Sequence, residues 1–107
     1  MALIGATASP AFAGASNFTL VNGTGASLDE LSIRRAGTQD WKPLGQAPSA
    51  GGRMVMTFAD PDCAFDIRAK VPGSGPVTWV GVNLCAAKSV TLNHDGSAGA
   101  WVDYDDR

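Results

Sequence analysis

Apolar and polar positions alternate most cleanly at residues 63–71, where Cys63, Phe65, Ile67, Ala69 and Val71 interleave with Ala64, Asp66, Arg68 and Lys70. A period of two puts the first set on one face of a β-strand and the second set on the other. Pro72-Gly73-Ser74-Gly75-Pro76 supplies turn chemistry, and residues 77–84 read as the returning strand of a hairpin. On that strand Val77, Trp79 and Gly81 share one face, while Thr78, Val80, Val82 and Leu84 take the other. Apolar residues on both faces predict a central strand, either covered on both sides or with one face exposed. Cys63 and Cys85 are the only cysteines. They stand at the open end of this hairpin, where a disulfide can bridge the two strands.

The remaining chain carries the same signature in shorter pieces. Phe18 and Leu20 alternate with Thr19 and Val21, and Asn22-Gly23-Thr24-Gly25 then tolerates the backbone of a tight turn. Residues 28–35 read as a strand with Leu31 and Ile33 on one face. A helix is the alternative, because Ser27 and Glu30 match a capping box, but the run is short and ends in Ala36-Gly37. Residues 37–52 form a long connection in which Trp41 and Leu44 are expected to plug one end of the core. Met54, Met56 and Phe58 line one side of a strand at 53–58, more as adaptable core packing than as a metal-binding stripe. Val90 and Leu92 point inward from a strand at 86–93. His94-Asp95-Gly96-Ser97 reads as a turn, residues 98–104 as the last strand, and Asp105-Asp106-Arg107 as a frayed tail. Trp79 and Trp101 are expected to stack in the core.

Composition narrows the class. A chain of 107 residues with 17% charged side chains is one ordinary globular unit. The net charge of −2, with only eight Lys and Arg, gives no clustered basic face and so no expectation of nucleic-acid binding. No apolar run reaches the roughly 20 residues that a spanning helix needs. The first fifteen residues are small, apolar and uncharged, and Ala11-Phe12-Ala13 matches a signal-peptidase site. Residues 1–15 are therefore expected to be the remnant of an export signal or a flexible terminus, with a single domain at 16–107. The cysteine pair points the same way, to an oxidising compartment, periplasmic or extracellular.

Candidate chemistry is sparse. His94 lies in a turn expected to be exposed, and no serine occupies a nucleophile motif, so no catalytic residue is assigned. With both cysteines oxidised, too few ligands remain for zinc. Asp60-x-Asp62 and Asp103-x-Asp105-Asp106 offer the hard oxygen atoms that calcium prefers, but not the glycine and distal glutamate of a calcium loop. Turn formation and solvation explain them better. Gly73-Ser74-Gly75 precedes no helix and is not a phosphate cradle, and no cofactor or metal is expected. Asp66 and Arg68 stand two apart on the polar face of their strand, where they can form a surface ion pair with one another or with a neighbouring loop; the alternative is an anchor for a ligand or partner.

A resemblance emerges from these residues. Phe18-x-Leu20-x-Asn22-x-Thr24-Gly25, Trp41-x-x-Leu44, Cys63-x-Phe65-Asp66-Ile67-Arg68, Val82-Asn83-Leu84-Cys85 and Val90-Thr91-Leu92 are similar to an uncharacterised group of small exported bacterial β-domain proteins. The likeness covers residues 17–93 and fails in the loop at 46–52. It implies a secreted β domain with one disulfide, and it carries over no catalytic residues.

The expected fold is all-β: an antiparallel β-sandwich of about six to eight strands with Cys63 and Cys85 joined. The expected function is an exported, non-enzymatic binding domain that recognises another exported protein or a cell-envelope component. Its candidate surface combines Trp41 or Trp79 with Asp66 and Arg68. An inhibitor of a secreted hydrolase, using residues 37–52 as its loop, is one alternative. A calcium-dependent or catalytic protein using the aspartates is another. Oligomeric state is open, although exposed strand edges could pair.

Overall fold

The computed structural model describes residues 14–105. The export-signal reading of residues 1–15 falls outside them at 1–13, and the tail read at Asp105-Asp106-Arg107 falls outside them at its last two residues. The described residues form eight strands: β1 Phe18–Asn22, β2 Asp29–Arg35, β3 Lys42–Pro43, β4 Arg53–Met56, β5 Ala64–Val71, β6 Gly75–Asn83, β7 Ser89–Asp95 and β8 Gly99–Asp105. They make two four-stranded sheets, ordered β4-β1-β7-β8 and β3-β2-β5-β6. Every pairing is antiparallel except that of β1 with β7. The fold is an all-β sandwich, and no described helix is long and apolar enough to cross a membrane.

Alternation along each strand builds the core. Phe18, Leu20, Met56, Val90 and Leu92 face inward from one sheet, against Leu31, Ile33, Phe65, Ile67, Ala69, Val77 and Trp79 from the other. Residues 28–35 form a strand and not the alternative helix, because period-two burial of Leu31 and Ile33 against the second sheet outweighs a local cap. Phe58 stands edge-on between Phe18 and Phe65, with ring centroids 6.0 and 5.1 Å away. Ala15 belongs to the body as well: it is buried, and its backbone bridges to Asp60. The terminal segment is therefore docked from this residue onward.

The hairpin at the centre of the chain differs from its expected form in one respect with large consequences. Between the pairs Phe65↔Val82 and Ile67↔Trp79, the single residue Asp66 faces two residues of β6, Val80 and Gly81. Gly81 takes φ +68°, a left-handed conformation that glycine adopts without steric cost. This bulge reverses the alternation beyond it. Val82 and Leu84 join Val77 and Trp79 on the core side, and Val80 is the large apolar residue of this strand that points out, 75% exposed. β6 is accordingly an edge strand, not the central one that two apolar faces suggested. Its edge meets β8, where the Asn83 backbone N–H donates to Tyr104 Oη at 3.0 Å.

Cys63 and Cys85 are bonded across the open end of this hairpin, and no described cysteine is free. A disulfide between residues 22 apart in sequence restricts the unfolded chain by about 3 kcal/mol in the loop-entropy model. The double variant Cys63→Ala/Cys85→Ala is expected to lose about that much in urea unfolding, with native strand content retained by circular dichroism. A variant as stable as the parent would show that the bond does not hold the hairpin.

Candidate functional site

The bulge creates the site. Asp66 sits on the outer face of its sheet yet is only 2% exposed, because its carboxylate is drawn down onto the backbone. Oδ1 accepts from the Gly81 N–H at 3.0 Å, a donor turned out of the ladder by the bulge. Oδ2 accepts from Arg34 Nε at 2.8 Å. Arg34 is the cross-strand partner of Asp66 in the β2–β5 register. Asp66 therefore pairs across the sheet with Arg34, not along the strand with Arg68. Charge-assisted bonds from two donors offset the cost of burying the carboxylate.

Trp41 completes the cluster. It immediately precedes β3, whose register sets Ile33 against Lys42 and so brings Trp41 beside Arg34. The Arg34 Cζ lies 4.5 Å from the Trp41 ring centroid, and the Arg68 Cζ, reaching across β2 past Ser32, lies 4.0 Å from it. Trp41 thus lies on the outside of the sheet among guanidiniums instead of plugging the core, while Leu44 does pack against the core. Cation–π contact of this kind restricts where the arginine heads can go. Arg68 forms no ion pair among the described residues.

Of the residues the sequence nominated, Trp41, Asp66 and Arg68 are brought together, and Arg34 and Val80 join them. Trp79 is removed from the surface. It is 1% exposed on the opposite face of the sheet, and its Nε1–H donates to the Asn93 carbonyl of the other sheet at 2.8 Å. Trp101 is not a core residue either, being 44% exposed on the edge strand β8. The three indoles therefore differ in access to solvent. Acrylamide is expected to quench Trp101 strongly, Trp41 in part and Trp79 scarcely at all, and Trp101→Ala should remove most of the quenchable emission. Uniform protection of all the emission would mean that Trp101 is covered.

The other candidates resolve into structural roles. Arg35, the neighbour of Arg34, turns to the strand end and binds Asp60 and Asp62 at 3.2 Å each. The hydrogen bond that its Nε–H donates to the Asp60 carboxylate holds the guanidinium protonated above the usual arginine range. Asp60 lies below the usual carboxylate range, chiefly because the Asp62 backbone N–H donates to it at 2.9 Å. A cleft of about 180 Å³ opens beside this pair, between Phe58 and the segment Thr38 to Lys42. Its charged rim is internally paired, Arg35 with Asp60 and Lys42 with Asp40. No three His, Cys, Asp or Glu side chains converge as a metal site would require among the described residues. His94 is partly buried within β7 instead of exposed in a turn.

The long connection after β2 is tied down rather than projecting. The Leu44 N–H donates to the Leu31 carbonyl at 3.0 Å and the Gly51 N–H to the Asn22 carbonyl at 2.9 Å. Asn22 Nδ2 donates to the Pro48 carbonyl at 3.1 Å. A protease-inhibiting loop has to stand clear of its scaffold; this segment is held at three points.

No model of a known protein family matches the chain, and no curated protein sequence is similar to it. Among solved structures, an NMR structure of a protein from Eubacterium rectale has a similar fold, with a TM-score of 0.54 at 14% identity, covering 92% of this chain and 94% of that one. At that identity the likeness concerns the fold alone.

Proposed function

We propose that this chain is an exported, non-catalytic binding domain that takes an acidic partner, an exported protein or an envelope polymer, on the outer face of the β3-β2-β5-β6 sheet. The observation that carries this reading is Arg68. Its guanidinium lies over the Trp41 ring, Cζ 4.0 Å from the centroid, and has no carboxylate partner among the described residues, whereas Arg34 beside it is already neutralised by Asp66. An arginine held open on a rigid aromatic support is what a carboxylate can engage without first ordering a side chain. Exposed Val80, across the ladder from Asp66, adds apolar area to the same face. The disulfide favours a compartment outside the cytoplasm, and the resemblance to exported β-domain proteins favours the periplasm or the cell exterior.

Fluorescence anisotropy with a labelled hexaglutamate peptide tests the reading. Binding is expected to weaken with salt, and Arg68→Gln and Trp41→Ala should each weaken it by about tenfold or more, the size of a hot-spot loss. Trp101→Ala, on the other sheet, should leave it unchanged. Equal affinity for the parent and Arg68→Gln would remove this face from the function.

A further inference from the structure

The opposite sheet carries a second cluster, which does not depend on the Arg68 surface. β7 and β8 pair so that Asn93 faces Trp101 and Thr91 faces Asp103. All four residues share the outer face, since Val90, Leu92 and Val102 point inward. Trp101 is 44% exposed, and beside it Asn93 Nδ2 donates to Asp103 Oδ2 at 3.0 Å. The turn after β1 closes the other side: the Gly23 N–H donates to the Leu92 carbonyl at 2.9 Å. A Cβ at Gly23 would stand 2.5 Å from Asn93 Oδ1, so the absence of a side chain there is what lets backbone and amide come together. The carboxamide is thus fixed between a carboxylate and a backbone wall, with an open indole alongside.

We infer that Trp101, Asn93 and Asp103 form a saccharide-binding subsite for a pyranose with equatorial hydroxyls. Such a ring offers a flat face of axial C–H groups that fits an indole mounted on a sheet. Its rim of hydroxyls both donates and accepts. Asp103 retains an acceptor oxygen, and Asn93 retains a second N–H and a carbonyl, so two neighbouring hydroxyls can be met by groups already oriented. A purely apolar partner would bury the Asn93–Asp103 pair against nothing that bonds to it. A polyanion would meet Asp103 and Asp105 on the same strand. A neutral sugar satisfies the aromatic and polar halves together.

The test is a titration of the full chain, labelled with ¹⁵N, with cellotetraose to about 20 mM, the range in which a single stacked ring with a few hydrogen bonds binds. The Trp101 Nε1–H and Asn93 Nδ2 resonances are expected to shift and saturate with a Kd of about 1 mM. Trp101→Ala should abolish the response, and Asn93→Ala should weaken it by about tenfold. The Trp79 Nε1–H, bonded to the Asn93 backbone carbonyl, should stay in place in both variants and so report an intact fold. Trp41→Ala should bind cellotetraose like the parent. Absence of saturable shifts, or shifts that persist in Trp101→Ala, would overturn the inference. So would a Trp101 resonance that moves with protein concentration and not with sugar, because the indole would then serve a contact between copies.

Discussion

Asp66→Ala is expected to lower stability by about 3 kcal/mol, near the lower end of the range for breaking a buried ion pair. The Arg34 side chain is 22% exposed, so water reaches the abandoned guanidinium and moderates the loss. The Gly81 N–H, which the carboxylate caps at 3.0 Å, loses its partner as well. In a domain of this size the melting temperature should fall by about 15 °C. Asp66→Asn keeps an acceptor for Gly81 and removes only the charge, so it should cost less than the alanine. If alanine and asparagine variants melt together with the parent, the bulge does not rest on this carboxylate. A large loss with alanine and a smaller one with asparagine would place it at the base of the Arg34–Trp41–Arg68 stack.

Asn22 is the second site of large expected effect. It is fully buried at the end of β1, and all its hydrogen-bonding capacity is used. Nδ2 donates to the carbonyls of Ala26 and Pro48 at 2.8 and 3.1 Å. Oδ1 accepts from Thr24 N at 3.0 Å and from Thr24 Oγ1 at 2.6 Å. One side chain thereby ties the turn after β1 to the long connection that carries Trp41. Asn22→Ala should cost about 3 kcal/mol, several bonds at roughly 1 kcal/mol each. Asn22→Asp, nearly the same shape, should do at least as much damage, since a carboxylate oxygen would face two carbonyls with nothing to donate. Urea unfolding of the two variants checks this, and an aspartate variant as stable as the parent would contradict the assigned bonds.

These two residues also show what could be read from the chain and what could not. The alternation at Phe65, Ile67, Ala69 and Val71 is local information, and it correctly gave the hairpin, its core face and the bridge between Cys63 and Cys85. Asn22-Gly23-Thr24-Gly25 was legible as a turn. The role of Asn22 was not, because Pro48 lies 26 residues away and nothing local announces the contact. Asp66 was assigned to Arg68 because the two are close in sequence. Its actual partner follows from the pairing of β2 with β5, which one strand pattern cannot supply. A signal for the bulge was present: an isolated glycine inside an apolar strand, Gly81, marks a site where the ladder gains a residue. Continuing strict alternation through it put Val82 and Leu84 on the wrong face and made an edge strand look central. The outward placement of Trp41 depends on the short pairing of β3 with β2, two residues with no pattern of their own.

The central claim is that the outer face built on Asp66 receives an anionic partner through Arg68. Its most direct test is a residue-by-residue map of amide and side-chain shifts on adding hexaglutamate to the ¹⁵N-labelled chain at low salt. The account predicts perturbations concentrated at Arg68 Nε–H, Trp41 Nε1–H, Arg34 Nε–H and the Val80 and Gly81 amides, with β4 and β8 unmoved. Shifts centred on another face, or none at any residue of this cluster, would contradict it.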